Sequence, residues 1–151
     1  MSINYFEVNN RTVDIETASG QQFKNAPHMK AEFYMGFVAN GKEDFVIFSS
    51  HDGFLQFYGL DNQFVAEMRI NYPSGDFRTF SFINPEKENA LSRISLETPY
   101  GQYTPMERDV ISFSQLRAVI ENYYSYSASE EFVHKVPCVD TTEETKKYMG
   151  L

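Results

Sequence analysis

KAEFYMGFVANGKEDFVIFSSHDGFLQFYGLDNQFVAEMRINYPSGDFRTFSFI, the stretch from Lys30 to Ile83, decides the fold of this chain. Five apolar, aromatic-rich runs are separated there by four short turn signals. Asn40-Gly41, Asp52-Gly53 and Asp61-Asn62 tolerate the positive φ of tight hairpins, and Pro73-Ser74-Gly75 makes a slightly longer turn. This spacing predicts a β-meander, an antiparallel sheet whose strands pair in sequence order. In the first run, Ala31 to Ala39, Phe33, Met35 and Phe37 share one face by period two, with Tyr34 and Val38 on the other. Phe45-Val46-Ile47-Phe48 is apolar on both faces, as expected of a central strand covered on both sides. Phe54 to Gly59 continues the pattern. In Gln63 to Ile70, Phe64, Ala66 and Met68 alternate with Val65, Glu67 and Arg69, so one face is largely polar. The last run, Phe77 to Ile83, sets Phe77, Thr79, Ser81 and Ile83 against Arg78, Phe80 and Phe82.

Outward from the meander the signals are sparser. Ile3 to Val8 reads as a strand and Thr12 to Ile15 as a short second piece, while the polar segment Ala18 to His28 reads as a loop. Asn84-Pro85 is an N-cap and first-turn pair that predicts one or two helical turns ending near Leu91. Ser92 to Glu97 reads as another strand. Thr98 to Asp109, punctuated by Pro99, Gly101 and Pro105, reads as a loop displaying Tyr100 and Tyr103. Ser112 and Gln115 have capping-box spacing, and Leu116, Val119, Ile120 and Tyr123 form one apolar stripe after them. That predicts the main helix, ending near Ser125. Phe132 to Val139 reads as a final strand, ended or pushed to an edge by Pro137, and Thr141 to Glu144 as the start of a short terminal helix. The fold class expected is α+β in a single domain over 1–151. It comprises an antiparallel meander sheet of about 6–8 strands with one main C-terminal helix on one face.

Composition narrows the partners. Of 151 residues, 42% are hydrophobic and 16% are Phe or Tyr, enough for a packed core, and the net charge is −8. The first 75 residues carry 5 basic and 9 acidic side chains and the other 76 carry 8 and 12, so no basic face is set apart to hold a phosphate backbone. Direct nucleic-acid binding is therefore not expected. An acidic surface suits solubility or a basic protein partner. Cys138 is the single cysteine, so no internal disulfide is available. The opening Met1–Tyr5 lacks the blocks of a secretory leader, and no apolar run reaches the roughly 20 residues of a membrane helix. A cytoplasmic monomer without a membrane partner is the expectation.

Catalytic constellations are hard to assemble from these residues. His134 and Cys138 are four residues apart, roughly 13 Å along a strand, too far to share a proton. No serine sits in a Gly-x-Ser-x-Gly elbow. His28, His51 and His134 lie on distant segments without ligand spacing. The acidic pairs Glu43-Asp44, Glu86-x-Glu88, Glu107-x-Asp109, Glu130-Glu131 and Glu143-Glu144 fall mainly at element ends, where solvated charge is the default. No glycine-rich phosphate loop occurs. No catalytic residue, metal or cofactor is expected. The tyrosines of the last third, Tyr100, Tyr103, Tyr123, Tyr124 and Tyr126, combine an apolar body with a polar tip, which suits a wet protein interface.

Tyr100-Gly101, Thr104-Pro105, Asp109-Val110-Ile111-Ser112, the helix Gln115 to Tyr124, then Glu131-Phe132-Val133 and Pro137 together resemble one group of bacterial immunity proteins. These protect cells that carry contact-dependent inhibition or other polymorphic toxin systems. The likeness covers about 40 residues, and the Trp that commonly ends the following strand in that group is absent here. The resemblance implies a small acidic α+β domain that binds and occludes a cognate toxin, a basic protein such as a nuclease. Contact residues expected on this reading are Glu43, Asp44, Asp52 and Asp61 at the turns, with Tyr100, Tyr103 and Glu107 on the loop. A second reading places a small-molecule or enzymatic pocket between sheet and helix, with His51, Tyr58 and Arg78 as its polar groups. A third is a structural or adaptor subunit. A filled core with acids on an outer surface would favour the inhibitor over the pocket.

Overall fold

The computed structural model describes residues 12–151; the strand expected at Ile3 to Val8 lies outside them. Among the described residues, seven strands form one sheet in the order β2-β1-β3-β4-β5-β6-β9, every neighbouring pair antiparallel. They are β1 (Val13–Thr17), β2 (Gln22–Ala26), β3 (Phe45–Ser50), β4 (Gly53–Leu60), β5 (Gln63–Asn71), β6 (Phe77–Phe82) and β9 (Cys138–Asp140). The β3–β6 core is the predicted meander, joined by turns at His51-Asp52, Asp61-Asn62 and Tyr72–Asp76. Within β3–β6 the period-two reading holds. Val46, Phe48, Leu55, Phe57, Phe64, Ala66, Met68, Phe80 and Phe82 all face the helices and are buried.

The first run is not a strand. Residues His28–Ala39 form helix α1, which carries the chain from edge strand β2 across β1 to β3. Because β2 and β3 are each antiparallel to β1, they run in the same direction and need a crossover of this kind. The buried residues Ala31, Tyr34, Met35 and Val38 recur at spacings of three, one and three, a helical stripe. Phe33, 64% exposed, only mimics the period-two pattern. Asn40-Gly41 correspondingly ends a helix instead of turning a hairpin. Gly41 N–H donates to Val38 O at 3.1 Å and Lys42 N–H to Phe37 O at 2.8 Å, the double closure of a Schellman motif with φ +81° at Gly41.

Other segments also depart from expectation. β2 occupies part of the supposed loop Ala18 to His28; its mostly polar residues suit an exposed edge and hide the pattern. The strand expected over Ser92 to Glu97 shrinks to β7 (Leu96–Thr98), which pairs with β8 (Gly101–Tyr103) in a small hairpin within the supposed loop. Asn84 caps a single 3-10 turn, Pro85–Lys87. Phe132 sits in a short helix α3 (Glu130–Val133), so the last strand begins only at Cys138, and it lies at the sheet edge. Thr141 precedes the terminal helix α4 (Thr142–Tyr148) but makes no capping bond. Its hydroxyl engages Thr79 instead, and Asp140 Oδ1 accepts the Thr142 N–H.

The main helix α2 (Phe113–Tyr126) starts where predicted, with both capping-box bonds formed at 2.8 and 3.1 Å. It buries Leu116, Val119, Ile120, Tyr123 and Tyr124 beside α1 on one sheet face. Ser112→Ala removes a bond that satisfies a free helix amide and is expected to cost about 1 kcal/mol. Urea denaturation with an unchanged midpoint would contradict that expectation. The opposite sheet face is partly covered, by the β7–β8 hairpin at one end and by α4 against β6 at the other. Among the described residues, no helix is long and apolar enough to cross a membrane.

Candidate functional site

Four segments meet at one end of the sheet. The Schellman turn leaves α1 through residues 40–44. The β4–β5 turn approaches it, with Asp61 N–H donating to Ala39 O at 2.7 Å. The β7–β8 hairpin closes over both, with Tyr100 Oη donating to Gly41 O at 2.9 Å and Tyr103 Oη to Asp44 Oδ1 at 2.5 Å. The start of α2 is tied in by Phe113 N–H, which donates to Asn62 Oδ1 at 2.8 Å. The cause is local: Asp61 accepts φ +55°, which Asp and Asn tolerate better than most residues, and so keeps a two-residue turn that presents its carboxylate outward. Beside the turns lies a recess of about 250 Å³, whose lining includes Ser19, Lys42, Asp44 and Tyr100.

Of the seven expected contact residues, Asp44, Asp61, Tyr100 and Tyr103 are thus brought together. Tyr100 is 50% exposed although its hydroxyl is held, so its ring stands ready as a rigid contact. Glu43 lies in the same turn but faces inward at 6% exposure, accepting bonds from the Ser19 amide at 3.2 Å and hydroxyl at 3.0 Å. Its work is to tie the β1–β2 turn to the start of β3, so the outer surface is left to its neighbour Asp44. Asp52 occupies the β3–β4 turn at the opposite end of the sheet, 3.8 Å from His51. Glu107, in a 3-10 turn, is paired with Lys87 at 2.5 Å. Neither joins the cluster.

A feature that sequence reasoning missed supports this end of the sheet from beneath. Tyr58, on the outer face of β4, stacks on Tyr103 with ring centroids 4.3 Å apart. Burial, with Asp44 adding to it, pushes the Tyr103 phenol up to about 12, and burial raises Tyr58 further. Both phenols therefore stay neutral at any physiological pH, and Tyr103 keeps its bond to Asp44. Nearby, burial raises the Asp109 carboxyl. The signal available was period two: Tyr58 shares its face with Val65 and Glu67, opposite the core.

The groups of the pocket reading do not converge. His51 is almost fully exposed in its turn. Tyr58 is on the face away from the helices. Arg78 is at the edge, bridging Glu130 Oε1 at 2.6 Å and Asp140 Oδ2 at 2.9 Å. Fully buried Tyr123, Tyr124, Phe48, Phe57 and Phe132 fill the space between sheet and helices. An apolar groove of about 230 Å³ remains at the rim, lined by Phe82, Ile83, Ile111, Val119 and Val136 among others. Cys138 donates its thiol to Val133 O at 3.7 Å, and burial, then Asp140, pushes its pKa up to about 11. From the ordinary value of 9.0, that leaves about a hundredfold less thiolate at pH 8. Alkylation of the native protein is expected to be slower by about that factor than in urea; equal rates would show an exposed, ordinary thiol. A group of metal-ligand type does assemble, from His28 and Glu32 of α1 with Glu121 of α2. Its signal, His-x-x-x-Glu on a helix, disappears when residues 31–39 are read as a strand.

Fold and site together define an acidic α+β protein whose turns gather carboxylates and tyrosine at one end of a seven-stranded antiparallel sheet. No protein-family model, no curated protein and no solved structure matches this chain.

Proposed function

We propose that this chain is a binding module of the immunity type, which neutralises a basic toxin domain by covering its active surface. The observation that carries this reading is the convergence of Asp44, Asp61 and Tyr100 at one end of the sheet. The −8 net charge supports it, since an acidic patch meets a basic partner with electrostatically steered association. So does the filled core, which leaves little room for a ligand between sheet and helices. The mechanism is steric and electrostatic. The carboxylates set approach and register, and the held ring of Tyr100 supplies desolvated contact area.

The experiment is co-purification of the tagged chain with the products of genes adjacent to its own, at low and moderate salt, followed by an assay of the captured protein's toxicity. A stoichiometric basic partner, bound less tightly as salt rises and inactive when bound, is the expected result. A co-purifying small molecule in place of any protein partner would overturn the reading.

A further inference from the structure

The seam between α1 and α2 holds donors that the binding surface does not use. His28 is the first residue of α1 and Glu32 lies one turn further on the same helix. Glu121 reaches the same place from α2. One imidazole nitrogen and one oxygen from each carboxylate lie within 4.8 Å of one another. We propose that His28, Glu32 and Glu121 form a binding site for a divalent transition-metal ion of the zinc type.

Three observations support the assignment. The donor set is one imidazole and two carboxylates, hard enough for zinc or manganese, and three protein ligands leave a position open to water. The burial is graded. His28 is only 7% exposed, Glu121 is half-buried and Glu32 is exposed, so the ion has both a fixed inner ligand and an entry path. The imidazole is also oriented in advance. Its ring meets the Tyr124 ring edge-on at 5.2 Å, and the Tyr124 hydroxyl donates to Ala26 O at 3.0 Å and Pro27 O at 3.3 Å, the backbone leading into His28.

Two forces oppose the ion and set its affinity. Zinc with bonds of about 2.0–2.1 Å needs its ligand atoms roughly 3.4 Å apart, so the carboxylates must close in by turning their side chains. The positive end of α1 and Arg117, whose Nε lies 3.5 Å from Glu32 Oε1, repel a cation. Arg117 neutralises only one of the two carboxylates, which leaves net negative charge for a metal to compensate.

The test is calorimetric titration of the chelator-treated full chain with zinc chloride, repeated for Glu121→Gln and Arg117→Gln. One equivalent of zinc should bind. Glu121→Gln, an isosteric change at a half-buried position, should weaken binding at least tenfold with an unchanged circular-dichroism spectrum. Arg117→Gln should tighten it several-fold, because Glu32 loses its competing cation. Thermal melting gives a second readout, with Tm rising about 5–10 °C at a hundredfold excess of zinc over Kd. No binding up to about 1 mM zinc overturns the proposal. So does an affinity identical in the wild type and Glu121→Gln, since the ion would then be held adventitiously elsewhere.

Discussion

Gly59→Ala is expected to lower stability by about 3 kcal/mol or more and Tm by roughly 6–12 °C. Gly59 ends the core-facing row of β4 at φ +153°, a conformation that L side chains rarely adopt. An added Cβ would stand 2.1 Å from Gln63 O and 2.8 Å from Phe64 Cα, so the backbone of β5 would have to move. It would also stand 2.8 Å from Phe64 Cδ1, which places the Phe64 ring over the glycine, a pairing that shields a bare strand position. Phe64 is fully buried and exchanges both backbone hydrogen bonds with Ile111, at 2.9 and 2.8 Å, just before α2 begins. Displacing it therefore disturbs the hairpin that carries Asp61 and the entry to the main helix together. Gly36→Ala is the control. A Cβ there meets nothing within 4 Å in the middle of α1, and the change should stabilise by about 0.5–1 kcal/mol. Thermal denaturation that leaves Gly59→Ala within about 2 °C of the wild type would refute the close packing described.

The contrast between those glycines shows what could be read in the chain. β3–β6 were legible because each strand has one buried and one wetter face, which writes a period of two into the residues, and because the Asp-Gly and Asp-Asn turns leave few alternatives. α1 was not, for two reasons. Its stripe Ala31, Tyr34, Met35, Val38 is overwritten by the apolar Phe33 and Phe37 on its wetter side, and Asn-Gly serves a helix end as well as a hairpin. β2 and the β7–β8 hairpin were missed because short, polar or exposed strands have no buried face to mark.

Where the candidate residues sit was legible only in part. Asp61 and Tyr100 are turn or hairpin residues whose exposure follows from their place between apolar runs, whereas Asp44 is half-buried under Tyr103. Glu43 misleads because the partner that pays for its burial, the Ser19 amide, lies 24 residues away, and no local pattern reports it. The Tyr103–Asp44 bond and the Tyr58–Tyr103 stack need the hairpin folded back over β4, a tertiary event.

Separate rates should distinguish the two halves of the proposed interface. Asp61→Asn and Asp44→Asn remove charge without removing shape, and Asn keeps the positive φ that Asp61 requires and that lysine would strain. Against the captured basic partner, the double variant is expected to associate about tenfold more slowly at low salt, the difference closing as the Debye length shrinks at high salt. Its dissociation should change less, since Asp61 is exposed and rim charges steer more than they hold, while Asp44 is already engaged by Tyr103. Asp44→Asn alone also weakens the bond from Tyr103, because the phenol, held neutral, loses a charged acceptor. Tyr100→Ala should do the opposite. Losing a half-exposed ring whose hydroxyl is already anchored to Gly41 should cost about 2 kcal/mol, some thirtyfold, almost all in dissociation. Stopped-flow or surface-plasmon measurements across a salt series read both rates directly. If the acidic double variant associates at the wild-type rate at low salt, the carboxylates at this end of the sheet do not guide the partner, and the binding face must be sought elsewhere.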